Sequence, residues 1–170
     1  MNNLKDENVF IRSISFWTLS KYTEWIAAQG KVDANIMKDY LTEILKAMME
    51  NNTQVQNSAC TALGKAISEY AQSIEPYLSD IVQVFEYVSN NYQKNNLANL
   101  YDVIALLAQN VARSKIQDEK IENVLMGIIA KRWKESQFND IESIYLVGNS
   151  HRSIFNSCRV YRFSLNRIGA

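Results

Sequence analysis

The chain has 170 residues, with 18 basic and 18 acidic side chains and a formal net charge of zero. That balance excludes a generic nucleic-acid binder, which neutralises phosphates with surplus Lys and Arg. One proline and five glycines are too few turn formers for an all-β chain. No apolar run approaches the roughly 20 residues of a membrane span, and the start, Met1 to Asp6, has no apolar signal core.

Apolar residues recur at spacings of three and four through most of the chain, the period of a helix. The pattern predicts helices over 9–27, 35–51, 53–71, 75–91, 95–112, 117–135 and 138–147. Short polar breaks separate them, at Asp6-Glu7-Asn8, Gln29-Gly30-Lys31, Asn51-Asn52-Thr53, Asn90-Asn91 and from Ser114 to Asp118. Thr53, Ser73 and Asp118 suit N-caps, whose side chains accept orphan backbone N–H bonds. Pro76 suits a first helical turn, where its missing N–H costs little. From Gly148 to Ala170 the composition changes: Arg152, Arg159, Arg162 and Arg167 occur with no Lys and no acid. Residues 1–147 are therefore read as one helical body. Residues 148–170 are read as an anomalous Arg-rich tail, disordered or a gene-model artefact.

Internal repetition chooses between a closed bundle and a solenoid. The run Tyr40 to Leu45 is echoed by Tyr77 to Val82, 37 residues later. Ile11, Ser15 and Leu19 align with Val55, Ala59 and Leu63 at a spacing of 44, and then with Asn99, Val103 and Leu107. Periods near 40 with two helices per unit mark HEAT-type repeats, whose antiparallel pairs stack into a superhelix. The predicted fold is all-α, a HEAT-repeat α-α superhelix of about three and a half units. It begins at the second helix of a unit, and no polar capping repeat is evident at either end. Both features fit an excerpt of a longer solenoid.

On the first helix, Ile11, Ser15, Leu19, Tyr22 and Ile26 fall in one stripe at 100° per residue, enough to pack it. Phe10, Ile14, Trp17 and Trp25 lie on another side, with Lys21 among them. A helix apolar on two sides is buried all round or offers one side to a partner. Both readings stand for Trp17: packing between helices, or anchoring a ligand in a groove. The 44-residue register aligns Ile14, Ser58 and Asp102, and likewise Lys21, Lys65 and Gln109, as two rows across one groove. Asp102 is either a solvated surface acid or an acceptor for a basic peptide.

The run Ile11-Arg12-Ser13-Ile14-Ser15-Phe16-Trp17-Thr18-Leu19-Ser20-Lys21-Tyr22 resembles the Val-Arg-Ser-Ile-Thr-Cys-Trp-Thr-Leu-Ser-Arg-Tyr run of the transportin (karyopherin-β2) family of nuclear import receptors. Val55-Gln56 with Ala59-Cys60, Pro76-Tyr77-Leu78, Tyr92-Gln93, Leu100-Tyr101-Asp102 and Lys131-Arg132-Trp133 continue the resemblance over roughly residues 4–135. It implies a middle portion of a longer HEAT solenoid. It also implies a concave face that binds proline-tyrosine nuclear localisation signals of cargo proteins as extended chains. By the resemblance, Ile14 and Trp17 are apolar contacts and Asp102 an acidic one. Lys21 stands where the family has Arg, which keeps the charge but loses the planar fork. Ser58 replaces Ala, Lys65 replaces Thr, Ser68 replaces Glu and Gln109 replaces Asp. Glu69, next to Ser68, offers a substitute acid. Two acids lost and one base gained weaken attraction for a basic signal. The resemblance further implies nucleoporins and the Ran GTPase as partners of a full-length receptor, shuttling between cytoplasm and nucleus. The Ran-binding repeats and the acidic coupling loop lie in earlier parts of the family's fold, so Ran is not expected to bind this portion.

Catalytic chemistry is not evident. His151, the one histidine, stands beside Arg152 in the tail and reads as a surface residue. Cys60 and Cys158, the two cysteines, suit a reduced compartment in which Cys is an apolar filler. Cys60 has no basic neighbour to activate it. No Cys/His spacing suggests a metal site, and the glycines are too scattered for a phosphate loop. The expectation is a binding module without catalysis, cofactor or metal, with no nucleic-acid or membrane partner. A HEAT scaffold that binds no cargo is the competing reading.

Overall fold

The computed structural model describes residues 2–111 and 119–135. The expected helix over 138–147, the tail 148–170, His151, Cys158 and the cap at Asp118 lie outside the described residues. A 3-10 turn, Asn2–Lys5, leads into α1, Val9–Lys21. The α-helices that follow are α2 (Thr23–Gly30), α3 (Ala34–Met48), α4 (Thr53–Ile74), α5 (Leu78–Asn91), α6 (Lys94–Asn110) and α7 (Glu119–Glu135). No strand occurs among the described residues.

Local chemistry explains most of the helix starts. The side chains of Asn8, Asp33 and Asn52 accept backbone N–H bonds from Phe10, Asn35 and Gln54 at the heads of α1, α3 and α4, each satisfying a donor that the helix leaves orphaned. The cap of α4 is thus Asn52, and Thr53 is its first helical residue. Ser73 caps nothing. It lies inside α4, which runs on to Ile74 before Pro76 tightens the chain into a 3-10 turn, Glu75–Tyr77.

The predicted helix over 9–27 is two helices. Tyr22 adopts φ −101°, ψ 12°, and its N–H bonds Leu19 O three residues back. That tightened turn redirects the chain into α2. A second bend lies in α4 at Tyr70 (φ −136°, ψ 39°).

The helices form two layers. In one, α1 packs against α4 and α4 against α6. In the other, α3 contacts α5 and α5 contacts α7, while α3 also backs α4. Each second helix therefore lies beside the second helix of the next unit, as HEAT repeats require. Tyr40, Leu41, Ile44 and Met48 of α3, Leu63 and Ile67 of α4, Phe85 of α5 and Leu100 and Ile104 of α6 are sealed between the layers. Burying each such side chain stabilises by about 1.5–3 kcal/mol.

The seam of α1 differs from the stripe expected from periodicity. Ser13, Phe16 and Ser20 are its buried residues. Ile11 and Tyr22 are exposed, and Ile26 alone of that stripe is fully buried. Small hydroxyl side chains let α1 approach α4 closely, and Phe16 fills the gap between them and α3. Apolar periodicity finds an apolar stripe. It does not find a seam made of serines.

Candidate functional site

Phe10, Ile14, Trp17 and Lys21 follow one another at steps of four, three and four, so they share one face of α1. That face is not sealed by α4. Phe10, Ile14 and Trp17 are 68%, 58% and 49% exposed. Together with Ile11, Ser13, Gln54 and Ser58 they line an open cleft of about 550 Å³ between the N-terminal halves of α1 and α4. Its walls are apolar, and polar handles sit across from them. The Ser13 and Ser58 hydroxyls meet at 2.7 Å. Only one O–H is used in that contact, which leaves the other hydrogen free for an acceptor. The Gln54 amide is exposed beside them. An apolar slot edged by a hydroxyl and an amide suits an extended peptide, whose side chain needs the slot and whose backbone needs hydrogen bonds.

The Lys21 ammonium stands 5.0 Å from the centroid of the Trp17 ring, a cation–π contact that holds both side chains at the mouth of the cleft. On α4, Lys65 bonds Glu69 one turn on. This settles the fate of the acid next to Ser68: Glu69 is held by Lys65 within its own helix, and Ser68 turns its hydroxyl back to Gly64 O at 2.9 Å. Asp102 is exposed on α6, one helix further across. Partial desolvation raises its carboxyl above the usual carboxylate range. Gln109 is exposed a little further along α6.

Of the nine residues expected from the sequence, Ile14, Trp17 and Ser58 line the cleft, and Lys21 rests on its Trp17 wall. Lys65, Ser68 and Glu69 lie further along α4. Asp102 and Gln109 stand on α6, outside the cleft lining. Gln54 and Ser13 were missed. Gln54 was within reach of the register, since it follows Phe10 by 44. Ser13 carried no such signal, because a serine at a helix seam resembles any exposed serine.

Cys60 is fully buried on α4. Its sulfur lies 3.8 Å from the Tyr92 hydroxyl, which donates to Met48 O at 2.8 Å. Burial raises the thiol to about 11, so it stays protonated and is a poor nucleophile at neutral pH.

Paired helices in two layers, with matching positions on successive second helices, define a HEAT-repeat protein. No known family profile matches the chain. Relatives nonetheless align over most of it. Transportin-1 of Homo sapiens is 34% identical over 130 residues, 76% of this chain and 14% of that protein. Transportin of Dictyostelium discoideum is 30% identical over 149 residues, 87% of this chain and 16% of that protein. Importin subunit beta-2 of Schizosaccharomyces pombe is 26% identical over 132 residues, 76% of this chain and 14% of that protein. The chain belongs to the transportin family. It spans about a seventh of the length of these relatives.

Proposed function

We propose that the chain forms part of a nuclear import receptor, and that the face shared by α1, α4 and α6 holds proline-tyrosine nuclear localisation signals of cargo proteins. The observation that carries this reading is the exposure of Ile14 and Trp17 in a cleft with hydrogen-bonding groups opposite. An apolar cleft with convergent polar groups is the usual form of a binding surface, which scattered exposed apolar residues are not. Trp17 is the anchor. Ile14 and Phe10 flank it, Ser58 and Gln54 meet the ligand backbone, and Asp102 receives a basic residue further along. Lys65, Ser68, Glu69 and Gln109 border the path between. Kinship with transportins supports the class of ligand. For the whole receptor, nucleoporins and Ran GTPase are the further partners, and shuttling between cytoplasm and nucleus is the setting. Ran contacts fall outside this segment.

The test is a calorimetric titration of the chain with a proline-tyrosine signal peptide, repeated with Trp17→Ala. Saturable binding that the substitution weakens at least tenfold, the scale of a buried aromatic anchor, is the expected result. Unchanged affinity removes Trp17 from the site. No binding by the unaltered chain favours the scaffold reading instead.

A further inference from the structure

The charges around the cleft are unequally engaged. Lys65 is neutralised by Glu69 on its own helix. Among the described residues Lys21 has no carboxylate within ion-pairing distance; its ammonium lies against the Trp17 ring, 5.0 Å from the centroid. None of the residues lining the cleft is acidic. Among the described residues, Glu69 is paired with Lys65, Asp102 stands on α6 outside the cleft lining, and Glu24 on α2 forms no ion pair with Lys21. The charge that adjoins the apolar slot and is free to act is therefore positive. An ammonium carries three donors, and stacking on the ring face engages it without consuming them all.

We propose that this cleft selects an extended peptide whose apolar anchor is flanked, on the side facing Lys21, by an acidic residue, and that it disfavours a basic residue at that position. The inference rests on the peptide-binding reading above and adds the charge of the ligand next to its anchor. An acid there bonds Lys21 while Lys21 remains on Trp17. A base there meets an uncompensated like charge, and pushing Lys21 aside forfeits the cation–π contact that steadies Trp17. A basic residue further along the ligand can still reach Asp102, so the preferred ligand is acidic beside its anchor and basic one to two helices away.

The test uses the whole chain and three fluorescein-labelled peptides that share a proline-tyrosine core. They differ only in two flanking residues, both aspartate, both alanine or both arginine, and fluorescence anisotropy gives the affinities. Exposed ion pairs change affinity by about two- to fivefold each, so the aspartate peptide should bind roughly tenfold tighter than the arginine peptide at low salt. The gap should narrow at high salt as screening shortens the interaction. Lys21→Glu should reverse the order, and Lys38→Glu, the same charge change at an exposed position on α3 outside the cleft lining, should leave the order intact. Equal or tighter binding of the arginine peptide overturns the charge preference and leaves peptide binding standing. Failure of all three peptides to bind overturns the peptide-binding reading, and the preference with it. A ratio that survives Lys21→Glu assigns the selectivity to another residue and also overturns the inference.

Discussion

The hydroxyl of Ser13 on α1 lies 2.7 Å from that of Ser58 on α4, 45 residues later in the chain. It is one rung of a polar seam joining successive second helices. Asn57 on α4 accepts a bond from Asn99 on α6 at 2.8 Å. The buried Asn96 of α6 donates to Gln56 of α4 and, at 3.1 Å, to Thr53 O. Gln56 in turn donates to Glu50 O, just past the end of α3. Each rung requires its helices in one register, because a slip by one residue leaves a buried polar group without a partner.

Asn96→Ala should therefore destabilise the chain by about 1–3 kcal/mol, since Gln56 loses its donor in a buried site and the part-buried Thr53 O loses a bond. Asn99→Ala, in a more open position, should cost less. Urea unfolding followed by circular dichroism measures both. Equal and negligible costs would show that the seam contributes no register.

Phe16 and Trp17 are adjacent in sequence and opposite in role. Phe16 is 1% exposed, and Phe16→Ala should cost about 3–5 kcal/mol of stability. Trp17→Ala should leave unfolding nearly unchanged while weakening peptide binding. Thermal melts and peptide titrations on both variants separate the two effects. A large stability loss in the Trp17 variant would mean that its ring serves packing.

Gly64 lies where α4 meets α6. A β-carbon placed on it would sit 3.4 Å from Leu106 Cδ1 and 3.5 Å from Val103 Cγ2, ordinary contact distances. Gly64→Ala should be neutral or stabilising by up to about 1 kcal/mol, through helix propensity. Gly64→Leu should force the two helices apart and cost about 1–3 kcal/mol. The pair of melting temperatures checks the closeness of this crossing.

Burial raises the Cys60 thiol to about 11, above the ordinary thiol range near 8.5. The folded state thus holds its proton more tightly than the unfolded state. Stability from this group is complete below about pH 8.5 and falls as pH rises toward 11. Cys60→Ala should flatten that alkaline loss in urea unfolding measured at pH 7.5, 9 and 10. In a Cys158→Ser background, the remaining thiol should react with Ellman's reagent only after denaturation.

The helical class, the two-helix unit and the repeat spacing were legible because periodicity is written along the chain: matching burial environments recur wherever a unit recurs. Residues fully sealed by two layers, such as Tyr40, Ile44 and Leu63, follow from that pattern. The exposed face of α1 was also visible as a second apolar row, and the register pairs Ile14 with Ser58. What periodicity left undecided were choices between neighbours of similar chemistry. The bend at Tyr22 has no proline or glycine to announce it. Asn52 rather than Thr53 caps α4, because whichever side chain first reaches the orphan amides wins. The buried seam of α1 falls on serines, while Ile11 and Tyr22 stand exposed, because close approach of α4 rewards small volume over apolarity. That Lys65 binds Glu69 was within reach of the sequence, since a pair four residues apart on one helix needs only the helix to meet. Amino-acid order alone determined which residues repeat and in what kind of helix. The tertiary structure decided which side of each helix meets its neighbour and which charges stay free, since burial and pairing are properties of the surroundings that other helices create.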